Sequence, residues 1–195
     1  MMRRTRALPS NLRLLGQCLL LDFFLTSVIA VGQVPDFTQT LIMAYQGDAA
    51  AQHNLGLMYA NGEGVAEDDV EAVRWYHLAA DQGVADAQFN LGISYDYGEG
   101  VPEDDAEAAR WYRLAANQGL VEAQSNLGAM YGSGEGVPRN LVTAYAWFNV
   151  AAVSGQETAI NNRSNVEQQM TPSQIIEAQQ LAAEILERIQ ENQQD

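Results

Sequence analysis

The chain has 195 residues with 25 acidic and 10 basic side chains, and every basic one is Arg. A formal net charge of −15 excludes a nucleic-acid binder, which must meet the phosphate backbone with a basic surface, and it speaks against docking on anionic lipid. The one cysteine, Cys18, stands near the start, so disulfide, zinc–thiolate and thiol chemistry are excluded from the rest of the chain.

Residues 1–32 read as a signal peptide or N-terminal anchor. Arg3, Arg4, Arg6 and Arg13 form a positive head, and an apolar run from Leu14 to Gly32 follows, ending in small residues suited to cleavage. Asp22 interrupts that run, where a charge costs about 2.5–3.5 kcal/mol on insertion scales. This head predicts export to the periplasm or the medium, or anchoring by an uncleaved segment. Without it, the body carries 24 acids against six Arg, a net of −18.

Residues 33–49 read as an N-terminal capping half-repeat, because Gly47, Ala49 and Gln52 fall 36 positions before Gly83, Ala85 and Gln88. Three units follow at 50–85, 86–121 and 122–157, aligned without a gap at a period of 36. The first two share 23 of 36 positions, too many for chance, and the second and third share 16. Common to all three are an Ala-Gln pair at Ala51, an Asn-Leu-Gly triplet at Asn54, Tyr59, Gly-Glu-Gly-Val at Gly62, Ala72, Trp75, an Ala pair at Ala79 and Gly83, with their counterparts.

Each unit predicts two helices. Ala51, Leu55 and Tyr59 recur at i, i+4, i+8 and give the first one apolar face, and Gly56 lets a neighbouring helix approach. Gly-Glu-Gly ends that helix, since glycine accepts left-handed backbone. Asp68 with Glu71, and Asp104 with Glu107, have the spacing of an N-terminal cap for the second helix. Ala72, Trp75, Tyr76 and the Ala pair form its buried stripe. Residues 158–195 read as C-terminal capping helices. There Arg163 replaces the Leu of Leu127, and Thr171-Pro172-Ser173-Gln174 predicts the start of a last helix. Its stripe of Ile175, Ala178, Ala182, Ile185 and Ile189 suits a cap on the last repeat or, alternatively, a dimer seam.

This pattern resembles the Sel-one-like repeat, a relative of the tetratricopeptide repeat, over about residues 36–170. The resemblance implies an all-α fold, an α/α solenoid in which helix-turn-helix units wind into a right-handed superhelix. It implies an adaptor for protein–protein contacts, with no catalytic residue and no cofactor. A secreted branch of the family has a disulfide in each repeat and a link to β-lactams. This body lacks those cysteines, so the link does not carry over.

The residues themselves offer little chemistry. His53 and His77 fall on different helices with no nucleophile beside them. The Gly-Glu-Gly loops lack the Lys-Ser/Thr of a phosphate loop. The acidic runs at Glu67 and Glu103 do not have calcium-loop spacing, and Arg139-Asn140-Leu141 replaces them in the third unit. No metal site is expected. The better candidate is a groove lined by the first helix of each unit, where residues that vary between units are free of the packing rule. Asn54, Asn90 and Asn126 recur there, as amides able to hold a peptide backbone or to bond a neighbouring helix. His53, Phe89, Met58, Asp96, Tyr97 and Met130 complete the candidate surface. The expectation is an exported, non-enzymatic scaffold, a monomer or weak dimer, that binds a protein or peptide with a basic face. The alternatives are a cell-envelope hydrolase or β-lactam-interacting enzyme, and a structural module that self-associates.

Overall fold

The structure is a computed structural model that describes residues 36–194; the expected signal segment at 1–32 lies outside the described residues. Among those residues the regular structure is entirely α-helical: α1 (Phe37–Tyr45), α2 (Ala49–Asn61), α3 (Asp69–Asp81), α4 (Ala85–Tyr97), α5 (Asp105–Asn117), α6 (Val121–Ser133), α7 (Leu141–Ala152), α8 (Glu157–Glu167) and α9 (Pro172–Asn192). Helices α2, α4 and α6 open the three units and are called the A helices; α3, α5 and α7 close them and are the B helices. From α1 to α8 each helix packs on its neighbours in sequence, and α9 turns back onto α7, so the core runs as a continuous column through a helical solenoid.

The ends of the helices follow from local chemistry. Asp68 accepts the Glu71 backbone N–H at 3.0 Å, and Asp104 accepts that of Glu107 at 3.0 Å, so the acids of the first two units cap α3 and α5. Asn140 does the same for Thr143 at 3.1 Å in the third unit, which explains how the acidic run can be lost there. The A helices stop at Gly62, Gly98 and Gly134, which adopt left-handed φ of +68°, +70° and +91°. The second glycine of each loop has a different task. A Cβ on Gly100 would strike the Asp69 carbonyl, and one on Gly136 would strike that of Asp105, so these loops lie directly on the start of the preceding unit's B helix.

The helix-interior glycines seat aromatic rings. A Cβ on Gly56 would fall 2.5 Å from the Tyr76 ring; Gly92 meets Tyr112 in the same way, and Gly128 meets Phe148 at 2.9 Å. The large side chain of each B helix thus lies in a notch cut in its own A helix. Trp75, Trp111 and Trp147 point the other way, into the core shared with the preceding unit.

The recurrent Gln turns out to be a buried connector. Gln52, Gln88 and Gln124 are buried and donate to the carbonyls of Ala44, Ala80 and Ala116 at 3.1, 3.2 and 3.3 Å. Those carbonyls belong to the last turn of the preceding helix, where each also accepts the backbone N–H of Gly47, Gly83 or Gly119, so the Gln supplies a second donor. Gln82 and Gln118 then donate to the Gln52 and Gln88 side chains at 2.7 and 2.8 Å, so the first two joints carry a small amide chain, while at the third Ser154 stands in that place and bonds the Ala151 carbonyl.

The C-terminal helix does more than cap the last repeat. Thr171 and Gln174 form the expected capping box, and Ala178, Ala182, Ile185 and Ile189 are buried. They pack on α7, and the helix extends back to α5, where Asn192 and Gln193 donate to the carbonyls of Asn117 and Gln118 at 3.4 and 3.3 Å. The space comes from two exchanges in the repeat. Arg74 and Arg110 become Ala146, and Leu78 and Leu114 become Val150; both replacements are buried beneath α9.

Candidate functional site

The A helices carry the candidate surface, and the structure sorts its residues into three groups. The first is engaged inside the chain. Asn90 Nδ2 donates to His53 Nε2 at 3.1 Å, which links the first two A helices and requires a neutral His53 with its proton on Nδ1. Burial holds the His53 imidazole below its ordinary pKa, against an opposing pull from Asp86. Asn126 bonds the Tyr112 hydroxyl. That hydroxyl donates to Asp96 Oδ2 at 3.1 Å, so Asp96 and Asn126 meet over one phenol. Burial, Asp105 and Glu135 raise the Asp96 pKa while the Tyr112 hydrogen bond lowers it. Two of the three recurrent amides therefore bond neighbouring helices.

The second group is withdrawn from the surface. Met130 is 4% exposed and belongs to the core beside Leu127, so it offers no face to a partner. The third group remains available. Asn54 is exposed, Met58 is half-buried beside Gly64, and Tyr97 is 69% exposed. Phe89, Ile93 and Tyr97 stand at i, i+4, i+8 on α4 and make one apolar stripe, in which Phe89 and Ile93 are half-buried against the core and Tyr97 is open. The first unit has His53, Leu57 and Asn61 in those places, and the third has Ser125, Ala129 and Ser133. The stripe belongs to the central unit alone.

His77 lies apart from His53, packed edge-on against Trp111 at 5.5 Å and Tyr95 at 6.2 Å. Burial lowers its pKa, with Asp81 opposing. Both imidazoles serve packing, and neither faces a nucleophile. Among the described residues no three His, Cys, Asp or Glu side chains gather to hold a metal ion.

Sequence reasoning missed a niche between units. Ala60, Asp69, Ala72, Tyr76, Asn90, Ile93, Ser94 and Glu99 enclose a cavity of about 70 Å³. The same place in the third unit is an opener cavity of about 260 Å³, lined by Gly132, Leu141, Phe148, Asn162, Asn165 and Val166 among others. Asp96 occupies the position of Ala60 and Gly132 in the unit between.

The Sel1 repeat family model matches residues 49–84, 85–120 and 121–155. The chain belongs to the Sel1 repeat family. A protective antigen present in uropathogenic Escherichia coli strains, which displays an SLR fold, is 39% identical with a TM-score of 0.73. The match covers 78% of this chain and 33% of that one. A Sel1 repeat protein from Oxalobacter formigenes is also 39% identical, with a TM-score of 0.59, over 60% of this chain and 49% of that one. The chain thus spans between a third and a half of the length of these relatives. Helicobacter pylori cysteine rich protein B shares the fold at 21% identity and a TM-score of 0.53, over 67% of this chain and 97% of its own. No curated protein matches the chain. The Sel1 repeat is a scaffold fold of the kind typical of protein–protein interaction.

Proposed function

We propose that this Sel1 repeat protein is an exported, non-enzymatic scaffold that binds a protein or peptide with a basic face along its A helices. The observation that carries the reading is the Phe89–Ile93–Tyr97 stripe. It is an apolar, aromatic strip on the central A helix, and Tyr97 lies open to solvent. Aromatic side chains of this kind anchor interfaces, since they bury a large area at little entropic cost. The basic character of the partner follows from charge. Of 24 acids beyond the head, only Glu71 and Glu107 form ion pairs among the described residues, with Arg74 and Arg110. The rest give a field that steers cations toward the surface.

The test is cross-linking in the native envelope with the wild type and with Tyr97→Ser, which installs the residue found at the matching place in the third unit. The reading expects one partner with a basic face, captured at low salt, reduced at high salt and lost in the variant. Capture that ignores both the substitution and the salt would overturn it. The self-associating alternative has less support, because the apolar stripe of α9 is buried against α5 and α7 within the chain.

A further inference from the structure

The niche between the first two units differs from its neighbours in one chemical respect. Tyr76 is 5% exposed and lines the cavity, and its hydroxyl has no hydrogen-bond partner among the described residues. The matching hydroxyl of Tyr112 is satisfied by Asp96 and Asn126. In the third unit the ring is Phe148 and carries no hydroxyl. The Tyr76 hydroxyl is not shut away from solvent: the cavity leaves it open to bond whatever enters.

What could enter is set by the walls. Asp69 stands at the start of α3, and the Gly98–Val101 loop, lying on that start, brings in Glu99. Both carboxylates act on Tyr76, whose pKa burial and these charges push up to about 12, so the hydroxyl stays protonated and uncharged. Asn90 gives its N–H to His53, and its carbonyl oxygen is left as an acceptor. Ala60, Ala72 and Ile93 supply apolar wall. The lining therefore offers negative charge, several oxygen acceptors and a short apolar passage. Its volume is about that of two waters.

We propose that this niche receives the ammonium group of a lysine side chain from the partner. An ammonium is a compact charge with three donors on an unbranched apolar stem, which fits a small cavity whose acceptors come from separate segments. The planar fork of an arginine suits a single facing carboxylate instead. The 195 residues contain no lysine, so none of their own side chains can supply the group. The proposal rests on the reading of the A-helix face as a protein-binding surface, and it names one chemical contact within it.

The experiment is an NMR titration of the full chain at low ionic strength, read at the Ile93 methyls and the Asn90 side-chain amide. The probe is Nα-acetyl-lysine methylamide, with its Nε-acetylated form and the arginine counterpart as controls. The lysine probe is expected to give saturable shifts at both reporters, and the acetylated form none. Ala60→Leu fills the cavity and is expected to abolish the response. Tyr76→Phe, which the third unit already tolerates as Phe148, is expected to weaken it about tenfold. No shift, an equal response to the acetylated probe, or an unchanged response in both variants would overturn the proposal. A preference for the arginine probe would overturn the ammonium assignment. A basic peptide that shifts Phe89, Ile93 and Tyr97 but leaves the Asn90 side-chain amide and the Ala60 methyl unmoved would sink the niche and spare the broader reading. A lysine response without any peptide that touches Phe89 and Tyr97 would do the reverse.

Discussion

A glycine inside a helix ordinarily weakens it, by about 1 kcal/mol relative to alanine. Gly56 and Gly92 invert that rule, because a methyl group there would occupy the space of the Tyr76 or Tyr112 ring. Gly92→Ala is expected to lower the stability by about 1–3 kcal/mol, as an overpacked core does, and Gly56→Ala by a similar amount. Gly132→Ala is the control. It lies in α6 with nothing closer than 3.8 Å to the added atom, so it is expected to stabilise by up to about 1 kcal/mol. Urea midpoints of the three variants decide it, and a uniform gain in stability would refute the notch. The two histidines give a second test at the same scale. Burial depresses both imidazoles, so the unfolded chain takes up protons first as the pH falls. Their contribution is therefore intact above pH ~6.5 and is lost on acidification, until the folded imidazoles also protonate. The drop in melting temperature between pH 7 and pH 5 should be smaller in the His53→Gln, His77→Gln double variant than in the wild type.

At the scale of the element, α9 shows where a repeat sequence becomes hard to read. The cap at Thr171 and the stripe from Ile175 to Ile189 are local patterns, and both are legible. The docking direction is not, because periodicity says nothing about a helix that leaves the period. The signal was present as an exception: Ala146 and Val150 are small where the first two units have Arg and Leu. Two substitutions test the docking. Ile185→Ala removes a side chain that is 2% exposed and is expected to cost about 2–4 kcal/mol. Ala146→Arg restores the residue of the other units and would bury an unpaired charge under α9. It is expected to release the helix, so that limited proteolysis cuts near residues 168–172. A variant as resistant as the wild type would mean that α9 is not held by this face.

At the scale of the whole molecule, the repeats were legible because the same contacts recur every 36 residues and force the same residue types to recur. The niche at Tyr76 was not, because its walls come from the end of α2, the start of α3, and α4 with its following loop, and no one stretch of sequence contains it. The same modularity yields a prediction for the solenoid. Excision of residues 86–121 joins Ala85 to Glu122 in register. Gln124 then meets the Ala80 carbonyl in place of Gln88, and Gly136 lies over Asp69 in place of Gly100. Both contacts are chemically identical to those removed. The joint under α9 is less well matched, since Asn117 is replaced by Asp81 while Gln118 is replaced by Gln82. The shortened chain is therefore expected to fold as a two-unit solenoid of lower stability. Its urea m-value should fall roughly in proportion to the chain removed, because m follows the surface exposed on unfolding. A helical signal that is lost altogether would mean that the units do not stack as exchangeable neighbours. A fold retained with Tyr97 removed along with the excised unit also yields a scaffold without its aromatic stripe, and the proposed partner should no longer bind it.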